Sequence, residues 1–306
     1  VRRPGQRARS VAEVAHAARG IARLVRTLHA QGVRMPALME LVSALKRLRL
    51  GGLLPTLAER LELAHKHSTP YQDVLLMLLS DEISRRDSGA SHRRAQQAGL
   101  DPDLVLARWD GTAKVSYDRG LVAELCSLRV VSDHRNLTIL GPVGVGKTHW
   151  SQGLGHLCCE AGYNVRFSRA DALLRSLRQS RMDNSREALM TALVTVDVLI
   201  LDDFALEPMG REESRDIYQL LVERNGRFST VITSNRDTAE WIATFDDAML
   251  AQSAVDRFKN NAYDLIIDGE SYRPRLKPKL EAMGPPPAVP VPKSPTPARR
   301  AASARR

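Results

Sequence analysis

The chain has 306 residues, of which 43% are hydrophobic, enough to form one large or two small folded domains. The net charge of +10 is concentrated at the ends: residues 1–34 sum to +7 and residues 284–306 to +5, which leaves −2 for the rest. No apolar run has the length of a membrane span, no secretory leader opens the chain, and three cysteines form no metal or disulfide pattern. These features exclude a membrane-spanning protein and a disulfide scaffold, and we expect a cytoplasmic protein without a membrane partner.

Helical periodicity dominates residues 37–98, which we predict to form a small all-helical domain. Leucines recur at helical spacing over residues 41–48, Gly51 and Gly52 interrupt the pattern, and Pro70 follows two capping residues as a helix start. The domain serves either as a scaffold or oligomer contact, or as a surface for DNA phosphates or a partner protein. Its basic residues favour DNA, and intervening acids weaken that interpretation. The basic residues are Lys46, Arg47, Arg49, Lys66, Arg85, Arg86, Arg93 and Arg94.

A phosphate-binding loop is predicted after a short apolar strand at residues 137–140. Residues 141–148, GPVGVGKT, match G-x-x-x-x-G-K-[ST], and the strand before and helix after them disfavour a chance glycine-rich turn. The glycines let the backbone turn its N–H groups toward phosphate oxygens, and the start of the helix adds positive potential. Lys147 would contact the β- and γ-phosphates of ATP, and the Thr148 hydroxyl would bind Mg²⁺. The predicted nucleotide contacts are Gly141, Pro142, Val143, Gly144, Val145, Gly146, Lys147, Thr148 and His149.

Two further strands are predicted to bring polar groups to the same site. Residues 197–203, DVLILDD, read as a buried strand that ends in two carboxylates about fifty residues after the loop. Asp202 would hold Mg²⁺ and Asp203 would orient or deprotonate the attacking water, whereas a surface turn has little support. Asn235 follows the strand at residues 229–233 and would lie between the loop and the acidic strand. There it would hydrogen-bond the water or the γ-phosphate, unless it is only a turn residue.

Strands alternate with helices over residues 136–275, which predicts right-handed crossovers and a parallel sheet with helices on both faces. A ligand would then lie at the carboxyl ends of the strands. Residues 99–135 are predicted to be a connector in which Trp109 folds back onto a neighbouring surface. Residues 1–36 are predicted to be a flexible basic extension and residues 276–306 a disordered Pro-rich tail, either solvated or bound non-specifically to nucleic acid.

In this order the motifs resemble those of the AAA+ ATPases, and within them the IstB-like transposition helper ATPases, which are related to the DnaC helicase loaders. The resemblance covers about residues 39–275 and rests on GPVGVGKTH, LILDDF, TSNR, VDRF and GESYR together with the leading helices. It implies a three-layer α/β P-loop NTPase core with a parallel sheet, and a lid that is reduced or absent because little chain follows VDRF. It also implies ATP and Mg²⁺, ATP hydrolysis on double-stranded DNA bound largely without sequence preference, and recruitment of a DDE transposase.

The resemblance assigns roles residue by residue. Arg257, in VDRF, matches the family's arginine finger, which would act on a neighbour's γ-phosphate and so imply a homo-oligomer with nucleotide at subunit interfaces. The alternative for Arg257 is a surface salt bridge with Asp256 or a nearby acid. Asp203 stands where most AAA+ proteins have Glu, which is compatible with slow turnover or a switch-like role. The matched residues are Lys147 and Thr148 for phosphate and Mg²⁺, Asp202 for Mg²⁺, Asp203 for water, Asn235 for the first sensor and Arg257 for the finger.

Two other functions remain as alternatives to an ATP-dependent regulator of transposition. A DnaC-like loader would bind a replicative helicase through the N-terminal helices, and the motifs do not separate it from the leading interpretation. A kinase acting on a small molecule would need a substrate lid and acceptor residues, and the sequence offers neither.

Overall fold

The structure, a computed structural model, describes residues 35–276, with side chains from residue 39 to residue 275. Residues 1–34 and 277–306, which hold most of the predicted extension and tail, lie outside the described residues. A main body runs to Ser271, and a short C-terminal piece begins at Tyr272, where the Arg275 guanidinium lies 5.6 Å from the Tyr272 ring centre. Within residues 35–276 no helix is both long and apolar enough to cross a bilayer.

Local sequence signals set several helix ends. The Asp118 side chain accepts hydrogen bonds from the backbone of Gly120 and Leu121 at the start of one helix, and Gly99 (φ 78°) ends another. Pro70 directly precedes the longest helix, as the sequence predicts. The α-helices are α1 (Met35–Arg47), α2 (Leu54–Lys66), α3 (Tyr71–Ala98), α4 (Arg119–Cys126), α5 (Arg129–Ser132), α6 (Lys147–Glu160), α7 (Ala170–Met182), α8 (Arg186–Thr195), α9 (Arg211–Arg224), α10 (Thr238–Trp241) and α11 (Ala248–Lys259).

Five parallel strands form the central sheet in the order β3-β4-β5-β2-β6, and two short strands, β1 and β7, form a separate antiparallel ladder. The strand before the phosphate loop, β2, therefore lies between β5 and β6, and β5 separates it from the acidic strand β4. The strands are β1 (Val115–Ser116), β2 (Asn136–Leu140), β3 (Val165–Arg169), β4 (Val198–Asp202), β5 (Ser229–Ser234), β6 (Ala262–Ile266) and β7 (Asp268–Gly269).

Helices cover both faces of the sheet, which confirms the predicted three-layer α/β class. Alternate residues of β4 enter opposite layers: Leu199 and Leu201 pack with α7, α8, α9 and α11, whereas Val198 and Ile200 pack with α6 and the end of α3. After β6 the described chain contains only β7 and a short 3-10 turn, so no helical lid follows within residues 35–276.

The N-terminal helices form a small cluster of their own. Leu54, Leu57 and Ala58 are buried against α1 and α3. The last turns of α3 leave this cluster and pack on the sheet domain, where Ala95 and Ala98 are buried and Arg94 Nε donates to the Cys159 carbonyl at 2.8 Å. The boundary predicted at residue 98 thus falls at the end of α3, a helix that packs in both the N-terminal cluster and the sheet domain. The domain limits stay a prediction.

The apolar residues in the first half of α3 are only partly buried. Tyr71, Leu75, Leu79 and Ile83 recur every four residues and are all exposed, whereas Leu78 packs against the N-terminal cluster. The described residues therefore carry an exposed apolar strip along the first half of α3.

The connector folds back on the sheet domain, as predicted for Trp109. Its ring contacts Tyr117 and Trp150 with centroid separations of 6.3 and 5.5 Å. β1, in the same connector, pairs with β7, so Val115 lies opposite Gly269. This ladder ties the connector to the chain segment that follows β6.

Candidate nucleotide site

The predicted phosphate loop, residues 141–146, joins β2 to α6 at the carboxyl edge of the sheet. Gly141, Gly144 and Gly146 have φ of 148°, 87° and 102°, a region that favours glycine. A Cβ at Gly141 would lie 1.9 Å from the Ile267 carbonyl oxygen, and one at Gly144 would lie 2.1 Å from the Ser271 Oγ. The loop needs glycine for its conformation and because the chain after β6 lies directly against it.

Lys147 is the first residue of α6 and is buried. Its ammonium group donates to the carbonyl oxygens of Gly141 at 2.8 Å and Pro142 at 2.7 Å. The charge therefore lies inside the curve of the loop, at the amino end of a helix where the backbone also offers N–H groups. This arrangement suits a polyanionic ligand such as a polyphosphate.

The side chains of Thr148 and Asp202 are in contact at the carboxyl edge of the sheet, although 54 residues separate them in sequence. The Thr148 hydroxyl lies 3.0 and 2.9 Å from the two carboxylate oxygens of Asp202. The Thr233 hydroxyl, on the intervening strand β5, donates to Asp202 Oδ1 at 2.6 Å. The expected convergence of loop and acidic strand is thus present, and Thr233 is a member of it that the sequence analysis missed.

Asp202 is almost fully buried, and burial raises the pKa of its carboxyl group; nearby Asp203 also raises it, whereas the hydrogen bonds from Thr233 and Thr148 lower it. A buried carboxylate beside a hydroxyl is a pair of hard oxygen ligands whose charge a divalent cation would compensate. The donor set therefore fits the predicted Mg²⁺, with Thr148 and Asp202 as the residues that would hold it.

Asp203 follows β4 with φ 56°, a left-handed conformation that Asp adopts more readily than most residues. Its backbone N–H donates to the Thr233 hydroxyl at 3.0 Å, and the next N–H, of Phe204, donates to the Thr233 carbonyl at 2.8 Å. The Asp203 carboxylate is partly exposed and lies 3.5 Å from Arg169 Nη2. It is therefore partly accessible at the carboxyl edge, and its predicted action on the attacking water stays a prediction.

Asn235 follows β5 directly and is exposed. In the register of the sheet, Ser234 pairs with Leu140, so Asn235 lies beside the start of the phosphate loop. Thr233, two residues earlier, contacts Asp202. The expected position between loop and acidic strand is found, and the sensor role of Asn235 stays a prediction.

Arg257 lies at the opposite end of the sheet from the phosphate loop. It is in the last turn of α11, next to Phe258, whose carbonyl accepts a hydrogen bond from Asn136 at the amino end of β2. The five residues of β2 span about 16 Å, more than an arginine side chain can bridge. Arg257 is exposed and forms no ion pair within the described part of the chain, and Asp256 instead accepts a hydrogen bond from Asn260. It is therefore kept apart from its own chain's loop.

The aromatic rings of Trp109 and His149 lie beside the loop. A Cβ at Gly146 would lie 2.6 Å from the Trp109 ring, so the connector covers this side of the loop. His149, predicted as a nucleotide contact, turns its ring toward the connector, where Nε2 lies 2.9 Å from the Val105 carbonyl oxygen. Its side chain is thus engaged in packing with Trp109, with ring centres 5.4 Å apart.

A glycine-rich loop with a buried lysine, a hydroxyl and a strand-end carboxylate at the carboxyl edge of a parallel sheet defines a P-loop nucleotide-binding protein. The family described as IstB-like ATP binding protein matches residues 43–282. The chain belongs to this family of ATP-binding proteins, which confirms the resemblance drawn from the motifs.

Similar proteins occur in bacterial insertion sequences. A candidate ATP-binding protein in an insertion sequence of Mycobacterium tuberculosis is 34% identical over 238 residues, 77% of this chain and 94% of the relative. A candidate ATP-binding protein of the insertion sequence IS21 from Pseudomonas aeruginosa is 36% identical over 243 residues, 79% of this chain and 91% of the relative.

Similar solved structures include DnaI (TM-score 0.47, 20% identity, 55% of this chain and 94% of that chain) and the DnaC helicase loader (TM-score 0.43, 20% identity, 48% of this chain and 86% of that chain). These similarities are too distant to support a functional argument.

Proposed function

We propose that this protein binds and hydrolyses ATP as an oligomer on double-stranded DNA, and that the nucleotide-bound assembly recruits or activates a DDE transposase. The observation that carries the proposal is the convergence of Lys147, Thr148 and Asp202 at one edge of the sheet, with Asp203 beside them. The insertion-sequence relatives favour a transposase over a replicative helicase as the partner.

Each residue of the site has a chemical task in this proposal. The Lys147 ammonium exchanges its two carbonyl acceptors for oxygens of the β- and γ-phosphates, and the loop N–H groups bind the remaining oxygens. Asp203 orients the attacking water or accepts its proton, and Asn235 holds the water or the γ-phosphate. Mg²⁺, held by Thr148 and Asp202, would neutralise charge on the phosphates.

The position of Arg257 supports an oligomer. The length of β2, about 16 Å, separates this exposed arginine from its own loop, so it cannot reach a nucleotide bound there. An arginine that reaches a neighbour's γ-phosphate stabilises the charge that develops in the transition state. Hydrolysis then requires two adjacent subunits, and binding of nucleotide and assembly reinforce each other.

The N-terminal helices are the proposed DNA-binding region. Arg85 and Arg86 lie beside the turn at Gly51–Leu53, where Arg86 Nη2 donates to the Arg49 carbonyl at 2.7 Å. Lys46 and Arg47, at the end of α1, are exposed next to the same turn. We call these five residues the turn cluster; its buried acid Glu82 leaves a net charge of +4, which suits a phosphate backbone.

ATP turnover with and without duplex DNA tests the proposal. We expect DNA-stimulated release of phosphate, and a Lys147→Ala variant should bind ATP about ten- to hundredfold more weakly, because charge-assisted hydrogen bonds contribute about 1.5–3 kcal/mol. Lys114→Ala is the matched control, since Lys114 is exposed and pairs with Glu270. ATP turnover in Lys147→Ala equal to that of the parent, or no turnover in the parent on any DNA, would overturn the proposal.

A further inference from the structure

The junction between α11 and the amino end of β2 is held by side-chain hydrogen bonds that no sequence motif predicts. Asn136, the first residue of β2, is buried and donates from Nδ2 to the Phe258 carbonyl at 3.3 Å. Its backbone N–H donates to the Asn261 carbonyl at 2.7 Å, and its Oδ1 accepts from the Thr230 N–H at 3.0 Å. This one residue therefore joins the strand that carries the phosphate loop to β5 and to the end of α11.

Asn261 closes the same junction from the opposite side. Its Nδ2 donates to the His134 carbonyl at 2.8 Å, and its Oδ1 accepts from Arg135 Nη1 at 2.6 Å. Both partners lie in the turn directly before β2. The chain before β2 and the chain after α11 are thus bonded in both directions, and we call Asn136 and Asn261 the asparagine pair.

This junction lies directly beside Arg257. Phe258, the next residue, is buried with its ring centre 6.1 Å from that of Trp241. Its carbonyl, one of the last four of α11, accepts from Asn136 Nδ2 and from the Asn261 N–H. Both the side chain and the backbone that follow Arg257 are therefore fixed to the sheet domain. Since Arg257 itself is exposed, the direction of its side chain depends on how this last helical turn is held.

A charged group that acts on the phosphate of a neighbouring subunit must be placed accurately. A misplacement of about 1 Å, caused far from the reacting atoms, can lower a rate about a hundredfold. Helix ends fray when their terminal carbonyls lack partners, and the asparagine pair supplies such partners to the turn that carries Arg257.

We propose that Asn136 and Asn261 are positioning residues that hold the last turn of α11 on β2 and thereby direct Arg257 toward the nucleotide of the next subunit. The inference rests on the proposed function and adds to it the residues that orient the arginine. Loss of the pair then impairs the arginine that a subunit offers and leaves its own phosphate loop intact.

The test measures kcat, KM for ATP, the affinity for a non-hydrolysable ATP analogue and the melting temperature of full-length variants. Asn261→Ala should lower kcat about ten- to hundredfold with KM and analogue affinity unchanged, because only the arginine is misplaced. Asn260→Ala is the matched control and should keep the parental kcat, because the Asn260 side chain donates to Asp256 in the same helix. Arg135→Ala removes one bond of the pair from an exposed position and should lower kcat by a smaller factor.

Mixing the variants locates the defect. Asn261→Ala subunits keep an intact loop, so an equal mixture with Lys147→Ala subunits, whose arginine is correctly held, should recover turnover at about one interface in four. A mixture of Asn261→Ala with Arg257→Ala subunits should stay inactive, because no subunit in it presents a correctly held arginine.

A parental kcat in Asn261→Ala would overturn the inference, as would a parental kcat in Arg135→Ala if Asn261→Ala melts early. An equal loss of kcat in Asn260→Ala would also overturn it. So would recovery with Arg257→Ala rather than with Lys147→Ala, which would place the defect in the nucleotide site of the variant itself, or recovery in neither mixture. These results leave the proposed function intact. A mixture of Lys147→Ala with Arg257→Ala that stays inactive would instead remove the shared site of the proposed function, and the inference with it.

Discussion

Thr233 organises the acidic half of the site. Its hydroxyl donates to Asp202 Oδ1 at 2.6 Å and accepts from the Asp203 N–H at 3.0 Å, and the residue is fully buried. The Thr233 side chain on β5 thereby holds the Asp202 carboxylate, which would bind Mg²⁺. It also holds the backbone of Asp203, whose carboxylate is proposed to act on water. The site is consequently built from β2, β4 and β5 together.

Thr233→Val tests this role. The change keeps the volume but leaves the Asp203 N–H without its acceptor, so we expect the free energy of unfolding to fall by about 1–3 kcal/mol. The change should also reduce ATP turnover, because the Asp202 carboxylate and the Asp203 backbone lose the hydroxyl that holds them in place. Thr138→Val is the control, since Thr138 is equally buried and its hydroxyl contacts Asp264 away from the loop. Calorimetry and turnover should show both variants destabilised and only Thr233→Val impaired in turnover; equal turnover in the two would contradict the role.

Sequence motifs identified the residues whose chemistry depends on local spacing. Lys147 and Thr148 follow the glycines that shape the loop, and Asp202 ends an apolar run, so all three could be predicted from the sequence. Thr233 could not, because its role depends on the order and register of strands that are distant in sequence. Threonine is an ordinary strand residue, and only the position of Thr233 two residues before Asn235 indicated that it lies at the site.

At the scale of elements, long periodic segments were predictable and short ones were not. The apolar runs that became β2, β4 and β5 and the amphipathic helices are found where the sequence predicts them. No sequence pattern predicts α10, of four residues, or the two-residue strands β1 and β7. Such elements have no detectable period, since tertiary contacts rather than local pattern stabilise them.

Glu82 makes the stability of the N-terminal helices depend on pH. Hydrogen bonds from Arg85, and then from Arg86, hold the pKa of this buried carboxyl at about 2 against the opposing effect of burial. Because the folded pKa lies below the usual value of 4.5, the stabilisation is complete above pH 4.5 and is lost as pH falls toward 2.

Glu82→Gln should therefore melt at a lower temperature than the parent at pH 7 and should lose less stability between pH 4.5 and 2. Glu59→Gln, at an exposed glutamate on α2, is the control and should follow the parental curve. Thermal unfolding followed by circular dichroism across this pH range checks the expectation. Parallel curves for Glu82→Gln and the parent would show that the ion pairs contribute nothing.

The turn cluster leads to a separate prediction about DNA. Replacing Lys46 and Arg47 by Glu should weaken duplex binding and lower the slope of log K against log salt by about one for each phosphate that is no longer neutralised. Replacing Arg211 and Arg215, both exposed on α9, by Glu is the control with the same change in charge. Binding titrations at several salt concentrations make the comparison. An unchanged salt slope in the Lys46/Arg47 variant would assign DNA binding to another surface.

For the whole molecule, the proposed function makes a single subunit incomplete, because it assigns Arg257 to the nucleotide of another subunit. The loop lies at the carboxyl end of β2, whereas Arg257, in the last turn of α11, lies near the amino end of the same strand. A head-to-tail contact would join them, and repetition of that contact produces a ring or a helical filament.

Mixing two inactive variants tests this account most directly. Lys147→Ala subunits should bind ATP too weakly to turn it over at limiting ATP but still offer Arg257, and Arg257→Ala subunits should bind ATP but offer no arginine. Each variant alone should be nearly inactive, whereas an equal mixture should recover roughly a quarter of parental ATP turnover, because random head-to-tail pairing joins an intact site to an intact arginine at one interface in four. A mixture no more active than the mean of the two variants would contradict the composite site.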